Sequence, residues 1–481
     1  MSGSISASRV ATLVGEFDRS PAYLGLAEAL RLLIGDGRVG LDVRLPSERE
    51  LTEALDVSRT TVTRAYATLR EAGYAEARRG SGTFTRVPGD RARAHDRSLL
   101  PRSSDPDTID LNCAAPTAPA GLAAAYAEAT DELPVYLRGH GYFPLGLPAL
   151  QEAIAARYDA QGLPTSPQQV MVTPGALAGA AILAQALTGA GDRVLVESPT
   201  YPNATAAVRS SGARLVASPV DHERGWDLDA VAALLRQSAP RMAYLVPDFH
   251  NPTGHLMAPE TREEYAALLR RTHTVPVIDE AHRDLMLDEL ELPAPFAAHT
   301  GEAITVGSAS KSFWGGLRLG WVRAPIALMD RMLKARIALD LGTPVLEQLV
   351  LTRLLGQEAE VLAEHRLRLR EQRDALAATV RELLPTWRFR EPAGGLALWC
   401  RLPGRGATAL AAEAERRGVV LAPGPVFAVE GGLDGFIRIP FTRPAPELAE
   451  AVRRLAGAWE RVQNDAPDSV AGAGARRVLV A

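Results

Sequence analysis

The sequence predicts an α/β chain built as a small helical body followed by a larger doubly wound one, and three observations predict it. A short series of capped helices ends in a Gly-flanked hairpin near residue 85; a polar stretch with Pro, Gly and Ser follows; from Ile109 onward, short apolar runs alternate with helical patterns. At 481 residues the chain exceeds one ordinary domain, and its 47% hydrophobic content can fill a large core, which excludes disorder throughout.

In the small body, Ala22 to Ile34 shows helical periodicity through Leu24, Ala27, Leu30 and Ile34 and stops at Gly35. Ser47-Glu48-Arg49-Glu50 is a capping box opening a short helix with Leu51 and Leu55. After the turn Asp56-Val57, Ser58 caps a third helix that runs through Leu69 to Gly73. Strands are expected at Tyr74–Ala77 and Thr83–Val87 around the tip Arg78-Arg79-Gly80-Ser81-Gly82. Helix, turn, helix and basic hairpin is the order of a winged helix-turn-helix, placed at 15–88. A linker is expected at 89–108, long enough to let the two bodies move independently.

The second body is expected at 109–465. Val170–Thr173, Arg193–Glu197, Arg214–Ala217, Met242–Val246, Val275–Ile278 and Ile304–Val306 read as buried parallel strands. Ala176–Leu187, Leu228–Arg236 and Arg262–Arg271 read as the helices between them. A helical stretch from Val345 to about Leu384 leads into a smaller α/β subdomain (about 345–465) with Leu396–Leu402 and Gly435–Phe441, and residues 466–481 read as a flexible tail.

Net charge is −4, so a nucleic-acid surface must be local. Cys113 and Cys400 are too few for a zinc cluster or a disulfide framework, which fits a reducing compartment. No uncharged apolar stretch is long enough to span a membrane, and Met1 to Arg9 lacks the order of a signal peptide. A soluble, cytoplasmic protein without metal or membrane partner is expected.

The local basic surface lies on the third helix and hairpin, where Arg59, Arg64, Arg70, Arg78, Arg79 and Arg86 face only Glu71 and Glu76. Ser58-Arg59-Thr60-Thr61 sets short donors and a guanidinium at a helix N-terminus, and Arg59 and Thr63 share a face that can reach base edges. The alternative is a solvated surface; the order of cap, turn, basic helix and wing argues against it. Tyr66 and Leu69 read as core. The stretch Leu45-Pro46-Ser47-Glu48-Arg49-Glu50-Leu51, then Val57 to Val62, then Gly80-Ser81-Gly82-Thr83-Phe84 resembles the GntR family of bacterial repressors. The resemblance implies double-stranded operator DNA as partner, with contacts from Arg49, Ser58, Arg59, Thr60, Thr61, Thr63 and Arg64, and a wing shaped by Gly80.

The second body carries one of only two lysines in an Arg-rich chain: Lys311, in Ser308-Ala309-Ser310-Lys311-Ser312 after a strand. A lysine of lowered pKa can form a Schiff base with an aldehyde, and an arginine cannot. Asp279 ends a strand where its carboxylate could pair with a pyridinium nitrogen. The Asn251 amide in Asn-Pro-Thr-Gly could bond a phenolic oxygen, and Thr173-Pro174-Gly175-Ala176 could hold a phosphate at a helix start. Ser308, Ser310 and Arg318 can add donors, and Tyr201 can stack on a ring. Each alone has a bland reading as turn, cap or core; their order carries the argument.

This stretch resembles the fold-type I aminotransferases that use pyridoxal 5′-phosphate. The resemblance implies Lys311 as the internal aldimine, Asp279 on the ring nitrogen, Asn251 on the ring hydroxyl and Tyr201 stacked on the ring. It puts Gly175, Ala176, Ser308 and Arg318 around the phosphate, with Tyr142 reaching in from a partner subunit, and Arg438 on a substrate carboxylate. His282 stands where the family has a tyrosine, and a histidine there can titrate near neutral pH. Ala114-Ala115-Pro116 replaces a family glycine and is expected to narrow the carboxylate pocket.

Both halves together resemble the MocR subfamily of regulators. That implies a homodimer; the expected function is a regulator whose cofactor domain senses an amino compound, or the cofactor itself, through Lys311 and repositions the winged helices. Two rivals stay open: a working aminotransferase with Lys311 as general base, and a repressor with a vestigial cofactor domain.

Overall fold

The structure is a computed structural model that describes residues 4–35, 38–40, 42–78, 80–86 and 108–465. Apart from Thr108, the expected linker at 89–108 lies outside the described residues, as do the expected tail at 466–481 and Arg79.

The winged-helix body contains a helix that periodicity did not reveal, α1 (Ala7–Val14), capped by Ser6, whose Oγ accepts from Arg9 N at 3.3 Å. Eight residues are too few to show a period, yet Val10 and Val14 join one core with Leu26, Leu30, Leu51 and Val62. The body therefore begins before residue 15. α2 (Ala22–Gly35) packs on α4 (Arg59–Glu71), with α3 (Glu48–Leu55) between them in sequence. The capping box of α3 is formed on both sides: Ser47 N donates to Glu50 Oε2 at 2.8 Å and Glu50 N to Ser47 Oγ at 3.3 Å. Strands β1 (Ala75–Arg78) and β2 (Gly82–Thr85) pair antiparallel as the wing.

The large body is built on an eight-stranded sheet of order β4-β11-β10-β9-β8-β5-β6-β7. β4 (Val170–Thr173), β5 (Arg193–Ser198), β6 (Arg214–Asp221), β8 (Met242–Leu245), β9 (Val275–Asp279) and β10 (Ile304–Ser308) are the apolar runs expected. Two strands were not expected: the two-residue β7 (Gly225–Trp226), and β11 (Gly320–Arg323), which inserts antiparallel between β4 and β10. β11 pairs on both sides, so its apolar burial resembles that of its neighbours and leaves no separate signature.

The subdomain sheet has the order β12-β14-β13-β3, with β12 (Ala397–Arg401), β13 (Val419–Pro423) and β14 (Phe436–Pro440). Its edge strand β3 (Ile109–Leu111) lies parallel to β13, so the first strand after the linker belongs to the last subdomain in the chain. The long helical stretch divides at Gln357 into Val345–Gly356 and Glu358–Leu383. No helix of the described residues is long and apolar enough to cross a membrane.

The two bodies also touch directly. Thr408 Oγ1 lies 3.0 Å from Gly35 O at the end of α2, and its one hydroxyl proton is shared between that carbonyl and the Asp434 carboxylate. The same threonine is held by Asp434 Oδ1, which accepts its N–H at 2.8 Å and its hydroxyl at 2.7 Å. The composition of residues 89–108 carries no information about contacts made elsewhere along the chain.

Candidate functional site

The carboxyl ends of β4, β5, β8, β9 and β10 lie on one edge of the parallel sheet, and Arg438 on β14 reaches Asn251 in the loop after β8. Lys311 lies in the single helical turn Ala309–Ser312 that follows β10, and its Nζ donates to Ala114 O at 2.7 Å. Among the described residues it has no ion pair with a carboxylate. Desolvation is the largest influence on it and pushes its pKa down.

Arg438, on β14, is 1% exposed. Its Nη2 donates to Asn112 O at 2.5 Å and its Nη1 to Asn251 Oδ1 at 3.3 Å, while Nε has no partner. Its guanidinium lies 4.8 Å from the Phe427 ring centroid. Burial pulls its pKa down to about 10, and among the described residues no carboxylate forms an ion pair with it. Because Asn251 accepts through Oδ1, the donor end of its amide is not used by Arg438. Lys311 and Arg438 hold the carbonyls of Ala114 and Asn112, so Cys113, between them, belongs to the same cleft.

Asp279 ends β9, and burial pushes its carboxyl up; a Tyr244 hydroxyl bond at 2.5 Å, the Ala281 N–H at 2.9 Å and Lys311 push it back. A tyrosine inside an apolar strand looks like core, and the signal that Tyr244 belongs to the site is a buried hydroxyl that needs a partner. Tyr201 precedes the helix Pro202–Ser210, close enough to Asp279 and Arg438 to feel their charges.

His282 is a correction. Burial, reinforced by Lys311, drives its pKa down to about 3, and its Nδ1 lies 3.1 Å from Phe249 O. It is neutral through the physiological range and does not titrate near pH 7.

The anion cradle has Gly175 at its centre, with φ +91°. A Cβ there would come within 3.2 Å of Arg318 Nη2, and a Cβ on Gly320 within 2.6 Å of Ala176 N. Arg318 is itself left-handed, at φ +51°, which turns it toward Gly175. Ser308 Oγ accepts from Ser310 N at 3.2 Å. The free N–H groups of the helix Ala176–Leu187 open toward this cradle. Tyr142 is 58% exposed and stacks on His140.

On α4, Ser58 Oγ accepts from Thr61 N at 3.1 Å, and Arg59, Thr60, Thr63 and Arg64 are exposed, as is Arg49 on α3. Glu48 reaches across to Arg59 at 3.6 Å and accepts from the Thr63 hydroxyl at 2.9 Å. Arg64 packs over the Tyr23 ring at 3.9 Å. The wing is less basic than its sequence: Arg78 pairs with Asp42 and Glu76, and Arg86 lies 3.7 Å from Glu76. Gly80 has φ +74° and nothing within 4 Å of a Cβ position. Tyr66 and Leu69 are core, with the Tyr66 hydroxyl bonded to Pro46 O at 2.8 Å.

A winged helix joined to a fold-type I aminotransferase-like body is what fold and cleft define. Residues 114–455 match the family model "Aminotransferase class I and II", and residues 22–85 match "Bacterial regulatory proteins, gntR family". The chain belongs to the aminotransferase class I and II family, in the MocR-type architecture that adds a GntR domain to it. It is 26% identical to the HTH-type transcriptional regulator YdfD of Bacillus subtilis, over 88% of this chain and 92% of that one. It is 31% identical to the probable rhizopine catabolism regulatory protein MocR of Rhizobium meliloti, over 64% and 66%. Among solved structures, LysN, the α-aminoadipate aminotransferase of Thermus thermophilus complexed with N-(5′-phosphopyridoxyl)-L-leucine, superposes with a TM-score of 0.67 at 29% identity. That match covers 75% of this chain and 94% of LysN.

The family's cofactor is pyridoxal 5′-phosphate. The donor set fits it: an amine with no carboxylate ion pair among the described residues, a buried carboxylate at a strand end, a cradle that backbone closes to a Cβ at Gly320, and an orphaned guanidinium nitrogen.

Proposed function

We propose that this protein is a cytoplasmic, homodimeric transcription regulator that holds pyridoxal 5′-phosphate at Lys311 and reads an amino compound bearing a carboxylate. When bound, the cofactor supplies an aldehyde carbon that condenses reversibly with primary amines and a ring that withdraws electrons. Lys311 Nζ would be the attachment point, and desolvation favours the neutral amine that attachment requires. Asp279 would face the ring nitrogen, with Tyr244 fixing its carboxylate. Asn251 would donate to the ring hydroxyl, and neutral His282 would stand beside it as a second polar group. Tyr201 would stack on the ring. Gly175, Ala176, Ser308, Ser310 and Arg318 would hold the phosphate.

The observation that carries the reading is Arg438, a buried guanidinium whose Nε has no partner. Such a charge costs several kcal/mol to bury unneutralised, roughly the scale that one carboxylate would return. The ligand's amine would compete with Lys311 while its carboxylate engaged Arg438. The subdomain that carries Arg438 also carries Thr408, bonded to the end of α2, so a shift of the clamp reaches the DNA-binding body without passing through the linker. On operator DNA, Arg49, Arg59, Thr60, Thr63 and Arg64 would face the groove and backbone, with Ser58 and Thr61 ordering the helix start and Gly80 the wing.

Exposed Val135, Leu137, Tyr142, Leu339 and Leu341 support the homodimer. Gly342 sits against the Phe143 backbone, which brings the last two beside Tyr142, and a second copy would bury them while carrying Tyr142 to the partner's phosphate site.

The test is a titration of cofactor-loaded protein with an amino acid panel, following visible absorbance and operator affinity together. A change in both with the same amino acid supports the reading; a spectral change with unaltered DNA binding sinks it. A second reading, a working transaminase, is favoured by the joint presence of Lys311, Asp279, Asn251 and Arg438. Turnover at ordinary enzymatic rates with an oxo acid would establish it.

A further inference from the structure

Behind the carboxylate clamp lies a second cavity, of 530 Å³, between the large body and the subdomain. Trp226, His222, Asp221, Arg224 and Asp227 line it from the large body, and Trp399 and Phe436 from the subdomain. Lys311, Asn251 and Arg438 are not among its walls, so it is not the cofactor cleft.

We propose that this cavity is a second small-molecule site, for a flat aromatic ligand carrying a positive charge. Its subsite for a ring is already built. Trp399 and Phe436 stack on each other at 5.2 Å with an interplanar angle of 6°, and His222 meets Phe436 edge-on at 5.1 Å, so the aromatic lining is a fixed cluster. On the facing body, Trp226 is locked by its Nε1–H, which donates to Glu197 Oε1 at 2.5 Å. Sites at domain junctions lined by aromatic groups and a few placed charges are typical of ligand pockets.

The sign of the ligand follows from the rim. Asp221 Oδ1 accepts from Glu223 N at 2.9 Å and Arg224 N at 2.8 Å. These backbone bonds hold the carboxyl below its usual range and leave Oδ2 outside them. Asp227 caps the following helix through Ala230 N at 3.1 Å. Facing them are Arg224 and His222, the latter 3.6 Å from Glu223 and 3.4 Å from Arg401. Two carboxylates against one guanidinium in the lining, beside electron-rich ring faces, favour a cation.

The cavity also touches the clamp at one remove. Trp399 meets Phe427 edge-on at 5.6 Å, and the Arg438 guanidinium lies over the same ring at 4.8 Å. Thr200 N donates to the backbone carbonyl of Phe427 at 3.0 Å, which ties that residue's backbone to the turn next to Tyr201. A ligand pressing on Trp399 therefore acts on the effector site; that coupling, unlike the binding itself, rests on the role proposed for Arg438.

The experiment is calorimetric titration of cofactor-loaded protein with gramine, an indole bearing a tertiary ammonium that cannot condense with an aldehyde, and with indole alone. Saturable binding of gramine, tighter than indole, is expected. Asp221→Asn keeps the turn's acceptor oxygen but removes the charge, and should weaken gramine about tenfold while leaving indole unchanged. His222→Trp, a half-buried position, should fill the cavity and abolish both. No saturable heat, or gramine binding that survives both substitutions, overturns the proposal. Visible absorbance records cofactor attachment in the same samples, so a failure at Lys311 is read separately.

Discussion

Arg59 on the winged helix and Arg438 in the cleft are both guanidinium groups set to meet an anion, in opposite surroundings. Arg59 is exposed, with Glu48 at 3.6 Å and water for its remaining donors. Arg438 is 1% exposed, with two donors spent on neutral oxygens and a third on nothing. For the exposed group a missing partner costs almost nothing, so its geometry alone says little about function. For the buried one, the missing partner is a cost that a ligand can remove. The structure therefore argues more strongly at the cleft, and the sequence pattern argues more strongly at the helix.

The widest effect is expected at Lys311, which makes the only covalent bond in the scheme. Lys311→Ala should eliminate borohydride-reducible absorbance altogether while circular dichroism stays native; retained reducible colour would put the attachment elsewhere. Next comes Arg438→Met. It should weaken a carboxylate-bearing effector by about 10- to 100-fold, the scale of a charge-assisted hydrogen bond made in a buried site. It should also raise the ligand-free unfolding midpoint, because an apolar chain of similar length replaces an unneutralised charge. A lowered midpoint would mean that the fold, not a ligand, is what Arg438 serves, and the contrast with Arg59 would vanish.

What could be read without coordinates follows the same division. The capping box at Ser47 and Glu50, the Ser58 cap and the strands β4, β8 and β9 depend on neighbours within a few residues, and local chemistry writes them into the sequence. The placement of Lys311, Asp279 and Asn251 was legible as strand-end positions. Tyr244, Cys113 and Phe427 were not, because each earns its place through a contact made far along the chain or across to another strand. The edge strand β3 and the Thr408–Gly35 bond were hidden for the same reason: their partners are more than 300 residues away. His282 was misjudged since a ring's titration depends on its burial and on Lys311 and Arg438, none of which is a property of Asp279-Glu280-Ala281-His282 itself.

His282 offers the next measurement. Its folded pKa, about 3, lies below the unfolded value near 6.5, so the unfolded chain binds the extra proton first. Its contribution is therefore intact above about pH 6.5 and is lost as pH falls toward the folded value, by about 1.4 kcal/mol per pH unit. Other buried groups titrate in this range, Glu280 with the opposite sign because burial raises it to about 7, so the informative quantity is a difference. Denaturant unfolding of wild-type and His282→Asn between pH 6.5 and 4.5 should show the smaller acid sensitivity in the variant; parallel slopes would mean that the imidazole is already charged in the folded cleft.

The smallest effects belong to the exposed half of the comparison. Arg59→Ala should weaken operator binding by several-fold and reduce the salt slope by about one counterion, with the cofactor spectrum unchanged. Glu48 decides how this is interpreted, because it pairs with Arg59 and accepts from Thr63. If Glu48 merely holds these side chains in place, Glu48→Gln should weaken binding, since the amide keeps the Thr63 hydrogen bond but lets Arg59 go. If Glu48 competes with the phosphate backbone, the same change should tighten binding and steepen the salt slope, and that is the outcome expected. Arg59 is exposed, its distance to Glu48 exceeds a good hydrogen bond, and a carboxylate beside a polyanion is repelled. Weakened binding would instead give the winged helix a built charge pair of the kind that the cleft lacks.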